Sequence, residues 1–381
     1  VDSISNSSQE LVNKAKAPLT KVLKQDFHDT VSGQMNLFNS IARQSLYRLN
    51  NQLDQCGDIQ AKQSLNKIEL LQAIEQGTLN GEYLSNMKDC NSNRTYYTDI
   101  QYRLTTSRYV GTQYLLQLNQ TQELRIHDDR LQGIFYGGYL SNSDVTASAD
   151  GTIDGRGVHL GLYKTIQHKG LNYNTYVSGS YGKHEFDFDI LDGFTPDRIK
   201  TKGNYGYFAA YAGASVSGEV KVKDTTLTPR LSIDTAYAES DEVNVDFTAR
   251  QKNIEQSGNL MLDQLNGNRL TAETVFHYPT TFRQWDITAE ITPRFFCQQD
   301  IGEIEETCGI GNKLHFQGIN NKYGNFDFGL DFENVDGIRR ESYEVTHSIN
   351  IIENLSLSSS YSFDESLQPS YKLGFEYSID F

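Results

Sequence analysis

Residues 371–381 read YKLGFEYSIDF and alternate to the last residue. Leu373, Phe375, Tyr377, Ile379 and Phe381 fall on one face of an extended chain, and Lys372, Gly374, Glu376, Ser378 and Asp380 on the other. Terminal residues of soluble proteins usually fray and rarely carry a run of apolar side chains. A barrel strand in a bilayer, by contrast, needs about ten residues of this two-residue period. The stretch therefore predicts a transmembrane strand with one lipid-facing side.

The same alternation recurs upstream. Residues 285–295 set Trp285, Ile287, Ala289, Ile291, Pro293 and Phe295 against Asp286, Thr288, Glu290, Thr292 and Arg294. Residues 326–332 set Phe326, Phe328, Leu330 and Phe332 against Asp327, Gly329 and Asp331, and residues 355–363 set Leu355, Leu357, Tyr361 and Phe363 against serines. A face carrying acids and arginines in strand after strand is not a dry core, because unpaired buried charges cost several kcal/mol each. It faces water, as a barrel lumen does, while the aromatic face meets lipid. A soluble β-sandwich reverses the two faces, and periodicity alone does not separate them; the terminal aromatic strand and the strand count favour the barrel.

Composition agrees. The chain has 23 Tyr, 19 Phe and 30 Gly but only 3 Met and 1 Trp, and its mean hydropathy is −0.55. No run approaches the roughly 18 apolar residues of a spanning helix, whereas barrels hide their hydrophobicity by alternating it. A net charge of −15 disfavours nucleic acid as a partner. The chain starts at Val1 without a Met or a charged-then-apolar leader, which reads as a mature product or, preferably, a fragment of something longer.

Before residue 130 the apolar period is helical. Phe27, Val31, Phe38, Ile41, Ala42, Ser45 and Leu49 form one such set, and Leu65, Ile68, Leu71 and Ile74 another, with Pro18 and Gly33 as a start and an interruption of the first helix. Residues 96–125 read as a polar helix through Tyr97, Ile100, Leu104, Gly111, Leu115 and Leu118, although 96–104 also fits a strand. The expected organisation is a mainly helical segment, 1–129, serving as passenger end, pore helix or plug, then an antiparallel transmembrane β-barrel of about 12 strands over 130–381. Long connections are expected at 141–146, 187–203, 241–267 and 297–312, and shorter ones at 167–170, 278–281, 322–325 and 353–354. Short periplasmic turns alternating with longer outer loops put both barrel ends on the periplasmic side of a bacterial outer membrane and Cys297 and Cys308 in an outer loop.

Read in order, LQGIFYGGY (131–139), GRGVHLGLY (155–163), TLTPRLS (226–232), WDITAEITPRF (285–295) and the closing strand resemble the translocator β-domain of classical autotransporters, the type V secretion family. The helix FHDTVSGQMNLFNSIARQSLYRL (27–49) resembles the segment such proteins carry ahead of the barrel, with 97–125 as a competing pore helix. The resemblance implies a chain that anchors and translocates its own N-terminal passenger, with no enzymatic activity and no cofactor. Its implied partners are outer-membrane lipid, the passenger, the barrel-assembly machinery and periplasmic chaperones. It also implies that Phe375, Tyr377, Ile379 and Phe381 carry an assembly signal. A helix in the lumen would meet Glu290, Asp327, Asp331, Glu344 and Glu376, beside Arg294, and could pair with them through Arg43 and Arg48 or Arg103 and Arg108.

Other chemistry is thin. Some members of the family cleave their passenger at an Asn in the pore, which makes Asn50 and Asn51 a candidate junction. Four Cys fall into local pairs, Cys56 with Cys90 and Cys297 with Cys308, an even count suited to an oxidising compartment and without Cys-x-x-Cys spacing. The acidic run 187–197 lacks the fixed spacing of a calcium loop, the eight His show no metal-ligand spacing, and no nucleophile elbow or phosphate loop occurs. The alternative of another class is a plugged porin or adhesin-like barrel that acts through its own outer loops.

Overall fold

The computed structural model describes residues 2–50, 59–67, 77–89, 91–107, 111–145, 150–191, 198–249, 254–299, 307–320, 323–335, 338–352, 355–363 and 369–380. One helix, α1 (Asp2–Asn50), precedes nineteen strand segments. The first eight are β1 (Ile59–Lys67), β2 (Gly77–Asp89), β3 (Arg94–Ser107), β4 (Gly111–His127), β5 (Arg130–Val145), β6 (Asp150–His168), β7 (Leu171–Leu191) and β8 (Arg198–Gly218). Next come β9 (Val220–Val222), β10 (Thr225–Ser240), β11 (Val243–Ala249), β12 (Ile254–Leu260), β13 (Leu265–Phe282) and β14 (Trp285–Gln299). The last five are β15 (Thr307–Asn320), β16 (Gly324–Val335), β17 (Ile338–Ile352), β18 (Leu355–Phe363) and β19 (Pro369–Asp380).

Every strand pairing is antiparallel, and the ladder returns to its start. β1 pairs with β2 on one side (Ser64↔Glu82) and with β19 on the other (Ser64↔Glu376). β9 prolongs β8 along β10, β11 prolongs β10 along β8, and β12 leads into β13 without changing register. The nineteen segments therefore form sixteen staves, more than the twelve or so expected from alternation. The backbone pleat agrees all the way round. Stepping from Tyr139 through Gln117, Gln101 and Glu82 reaches Ser64 on the same face as stepping the other way from Glu273 through β14–β19.

This wall starts at Ile59, not at residue 130. Residues 94–107 and 111–127 are strands rather than a polar helix, and Leu65 lies in β1 rather than in a second helix; Ile68, Leu71 and Ile74 fall outside the described residues. LQGIFYGGY thus lies on the fifth stave rather than the first. The first helix is continuous through Pro18, and Gly33 does not interrupt it. The C-terminal expectations fare better: 285–295, 326–332 and 355–363 lie within β14, β16 and β18.

The expected long connections are mostly strand. β7 and β8 run 21 residues each, and β11 with β12 forms a hairpin extension where a loop of 241–267 was expected. Tight turns close the opposite end at 128–129, 169–170, 223–224 and 283–284. The last lies beyond the expected 278–281, which belongs to β13. Lys169 and Gly170 have φ of 51° and 78°, the pair of left-handed residues that a type I′ hairpin turn requires.

Outward positions carry the apolar belt. Leu160, Leu162, Val177, Phe208, Ile233, Phe276, Ile291, Phe295 and Phe316 are all exposed, an apolar surface of the kind that lipid covers favourably. Along β14 and β16 the aromatic face points outward as expected, with Phe295 and Phe326 exposed. In β5–β8 large aromatics also line the inner face. Phe135, Tyr139, Tyr163, Tyr176, Tyr205, Tyr207 and Tyr211 are buried in the lumen against α1. The helix supplies the apolar partner that makes this possible, so this sector of the inner wall is dry and not the water-filled charged face expected.

Candidate functional site

α1 occupies the lumen. Val12, Ala15, Leu19, Leu23, Phe27, Val31, Met35, Phe38, Ala42, Ser45 and Leu49 are buried at intervals of three and four, one stripe of an amphipathic helix. It packs on the inner faces of β5–β8, β10 and β12. Asn13, Lys21, Gln25, Asp29, Asn36 and Arg43 on the other side remain exposed. At 49 residues and 1.5 Å per residue, α1 is about 73 Å long, comparable to a 21-residue stave at about 3.3 Å per residue. Because barrel staves tilt by about 40°, the helix is longer than the wall is high.

Its direction is fixed by contacts near both ends of the barrel. Near the long-hairpin end, Lys24 pairs with Asp263 in the link between β12 and β13. At the short-turn end, Arg48 Nε donates to Glu123 Oε1 at 2.6 Å, Tyr163 OH donates to the same oxygen, and the Arg48 guanidinium lies 4.7 Å from the Tyr97 ring centre. Arg125 Nη2 donates to the carbonyls of Arg48 and Leu49 at 3.3 and 2.9 Å. These carbonyls lack helical partners, and a cation here also complements the helix dipole.

Between the ends, polar contacts set the helix register. Asp26 Oδ2 accepts from Tyr205 OH at 2.5 Å and lies 2.5 Å from His184 Nδ1, while Tyr139 OH bridges His184 Nε2 and Tyr207 OH at 2.9 and 2.8 Å. Asn39 Nδ2 and Tyr176 OH both donate to Asp234 Oδ1, at 2.6 and 2.8 Å, and Arg269 Nη1 donates to Asn36 Oδ1 at 2.8 Å. Arg43 and Arg230 share Glu273 at 2.5 and 3.0 Å. Lower down, the hydroxyls of Ser45 and Thr165 hydrogen-bond, and Asn174 Nδ2 donates to Ala42 O at 2.6 Å. Phe38 packs edge-on to Tyr211 and His159, with centroids 4.9 and 5.2 Å away. A helix merely passing through would not need so many side-chain-specific contacts.

The acids that meet the helix are therefore Glu123, Asp234, Asp263 and Glu273. Those expected from the sequence pair along the wall instead: Glu290 with His277 at 2.8 Å, Asp327 with His315 at 2.8 Å, and Asp331 with Arg294 at 2.7 Å. Glu344 and Glu376 lie on β17 and β19, their side chains outside the described set. Arg43 and Arg48 do pair with lumen acids, whereas Arg103 is in β3, with its side chain outside the described set, and Arg108 lies outside the described residues. Within the acidic run 187–197, Asp187 pairs with Lys200 and Lys202 at 3.5 and 2.7 Å.

Cys297 and Cys308 face each other across β14 and β15 and form a disulfide, Cα to Cα 4.1 Å. Cys56 and Cys90 fall outside the described residues. Asn50 ends α1, and Asn51 is outside the described residues. Phe375, Tyr377 and Ile379 lie on β19, where Phe375 registers with Leu65 and Leu357; Phe381 is outside the described residues. Glu123, Asp234 and Glu273 were missed because their partners lie 75 to 230 residues away. Asp234, the one charged residue of LSIDTAYA (231–238), carried the clearest sequence signal.

Among solved structures, the chain superposes on CdiB from Acinetobacter baumannii with a TM-score of 0.51 at 10% identity, over 86% of this chain and 60% of that one. The chain has the fold of an outer-membrane β-barrel. It spans 60% of the length of CdiB. The barrel is also similar to the translocator domain of autotransporter NalP from Neisseria meningitidis, at 10% identity, with 92% and 98% of the two chains covered and a TM-score of 0.40. The beta domain of the Bordetella autotransporter BrkA gives 10% identity, 85% and 100% coverage and a TM-score of 0.33. No protein-family model and no curated protein sequence matches the barrel.

Proposed function

We propose that this barrel anchors and translocates the polypeptide attached to the N-terminal end of α1, as an autotransporter does, with α1 left in the lumen. The observation that carries the reading is the direction of the helix. Its C-terminal end sits beside the short turns and leads into β1, and its N-terminal end leaves among the long hairpins. Short turns lie on the periplasmic side of such barrels, so whatever precedes α1 emerges at the cell surface. The assembly signal is assigned to Phe375, Tyr377 and Ile379, alternate positions of the last stave, and to Phe381 after them, with the barrel-assembly machinery and periplasmic chaperones as its readers.

The test is accessibility in intact cells. An epitope placed before residue 2 is expected to be labelled without permeabilisation, and one in the Lys169–Gly170 turn only after it. The reverse pattern overturns the proposal. Deleting 371–381 is expected to abolish surface display.

A second reading has its own support. Sixteen-stranded barrels leave an aqueous channel, and α1 packs on one side of the lumen with a polar face turned away from that wall. If the barrel is a plugged channel, deleting 2–50 raises single-channel conductance while an upstream tag has no effect on cell-surface labelling.

A further inference from the structure

On the outer surface of β3–β7, toward the short-turn end, lies a cleft of about 600 Å³. Leu124, Ile134, Leu162 and Val177 line it, and Leu162 and Val177 are 51% and 55% exposed. One rung of the ladder crosses it, Arg94↔Leu124↔Gln132↔Lys164, so the two cations stand three strand spacings apart, about 14 Å between Cα atoms. Their long side chains reach inward from both sides.

The cations are only weakly countered: Asp89 acts on Arg94 through space without forming a salt bridge. Neither Arg94 nor Lys164 forms a salt bridge among the described residues. Asp89, the register partner of Arg94, gives its carboxylate to the Ser92 hydroxyl at 2.5 Å and the Asn91 N–H at 3.0 Å instead. Lys164 registers with Gln132 and Thr175. Toward the long-hairpin end of the same outer wall the pattern differs: Lys183 and Arg156 share Glu185 at 3.2 and 3.7 Å, and Lys200 and Lys202 share Asp187. On one side of the belt the protein neutralises its own cations, and on the other it leaves a basic pair above an apolar trough.

We propose that this cleft binds an anionic glycerophospholipid, its phosphate between Arg94 and Lys164 and an acyl chain laid along Ile134, Leu162 and Val177. The choice of phospholipid over lipid A rests on the orientation argued above, which puts the short-turn end in the inner leaflet. The headgroup supplies the direct ion pair that Asp89, bonded to Ser92 and Asn91, does not make, and the trough supplies the chain contact.

The test uses the full chain folded in neutral detergent, where orientation plays no part, with native mass spectrometry after addition of phosphatidylglycerol, phosphatidylcholine or lipid A. Phosphatidylglycerol is expected to be retained about thirtyfold over phosphatidylcholine, the order that two basic residues at an anionic headgroup give. That preference is expected to vanish in Arg94→Gln/Lys164→Gln and to persist in Arg156→Gln/Lys183→Gln, with folding of each checked by gel shift; Lys164→Met alone serves if the double variant does not fold. Equal retention of phosphatidylglycerol by wild type and the Arg94/Lys164 variant overturns the site and leaves the translocator reading intact. Stronger retention of lipid A, lost in the same variant, overturns the phospholipid assignment.

Discussion

Arg48 on the lumen helix donates to Glu123 on β4 at 2.6 Å, with the Glu123 side chain only 3% exposed. Breaking a buried pair by removing one partner costs roughly 3–5 kcal/mol, because the other charge is left uncompensated. Glu123→Ala is therefore expected to free the last turn of α1, and trypsin is expected to cut after Arg48 in the variant but not in the wild type. Arg48→Ala/Glu123→Ala is expected to hold the turn better than Glu123→Ala alone. Equal protection of Glu123→Ala and wild type would show that the clamp does not retain the helix.

The Ser45 and Thr165 hydroxyls hydrogen-bond across the helix–wall contact, close enough for a covalent test of where the helix sits. In a background with the native cysteines replaced by serine, Ser45→Cys/Thr165→Cys is expected to form a disulfide in the envelope. It would be seen as a reduction-sensitive mobility change. Ser40→Cys/Thr165→Cys is the control, since Ser40 lies on the exposed side of α1. Equal yields from the two pairs would remove α1 from this position.

How much of this was legible in the sequence depends on what each face touches. In β14 and β16 one face meets lipid and the other holds charged pairs such as Arg294 with Asp331, so alternation is clean and the strands read directly. In β6 the outward Val158, Leu160 and Leu162 interleave with inward His159, Gly161 and Tyr163. Both faces are largely apolar there, and the two-residue signal weakens. In β3 and β4 the inward side carries Asp99, Asn119 and Glu123 while the outward side mixes Gln120 and Gln122 with Leu118, which imitates a polar helix. The helix itself was legible from its stripe; its partners were not, because pairs such as Asn39 with Asp234 join residues that no local pattern connects.

The 169–170 turn gives a local stability test. Lys169 adopts φ of 51° and Gly170 of 78°, and left-handed backbone costs an ordinary L-residue about 1 kcal/mol more than it costs Asn or Gly. Lys169→Asn is expected to raise the urea midpoint in lipid vesicles slightly, and Gly170→Ala to lower stability by about 1 kcal/mol. A β-branched residue at Lys169 that leaves the midpoint unchanged would show that this is not a type I′ turn.

Facing direction, on which the whole wall depends, is testable with one substitution on each side. Leu160 points outward and is 59% exposed, in the middle of the belt on β6. Thr292 lies on the inward face of β14, two residues from Arg294 and in register with Lys313, whose other neighbour is Asp331. An arginine on the lipid side near the bilayer midplane costs about 2–4 kcal/mol, whereas lumen positions tolerate charge. Leu160→Arg is accordingly expected to lower the folding stability in vesicles by that amount, and Thr292→Arg to change it by less than about 1 kcal/mol. Because a one-residue slip exchanges the two faces of a stave, equal losses at both positions, or the larger loss at Thr292, would mean that the registers of β6 or β14 are wrong.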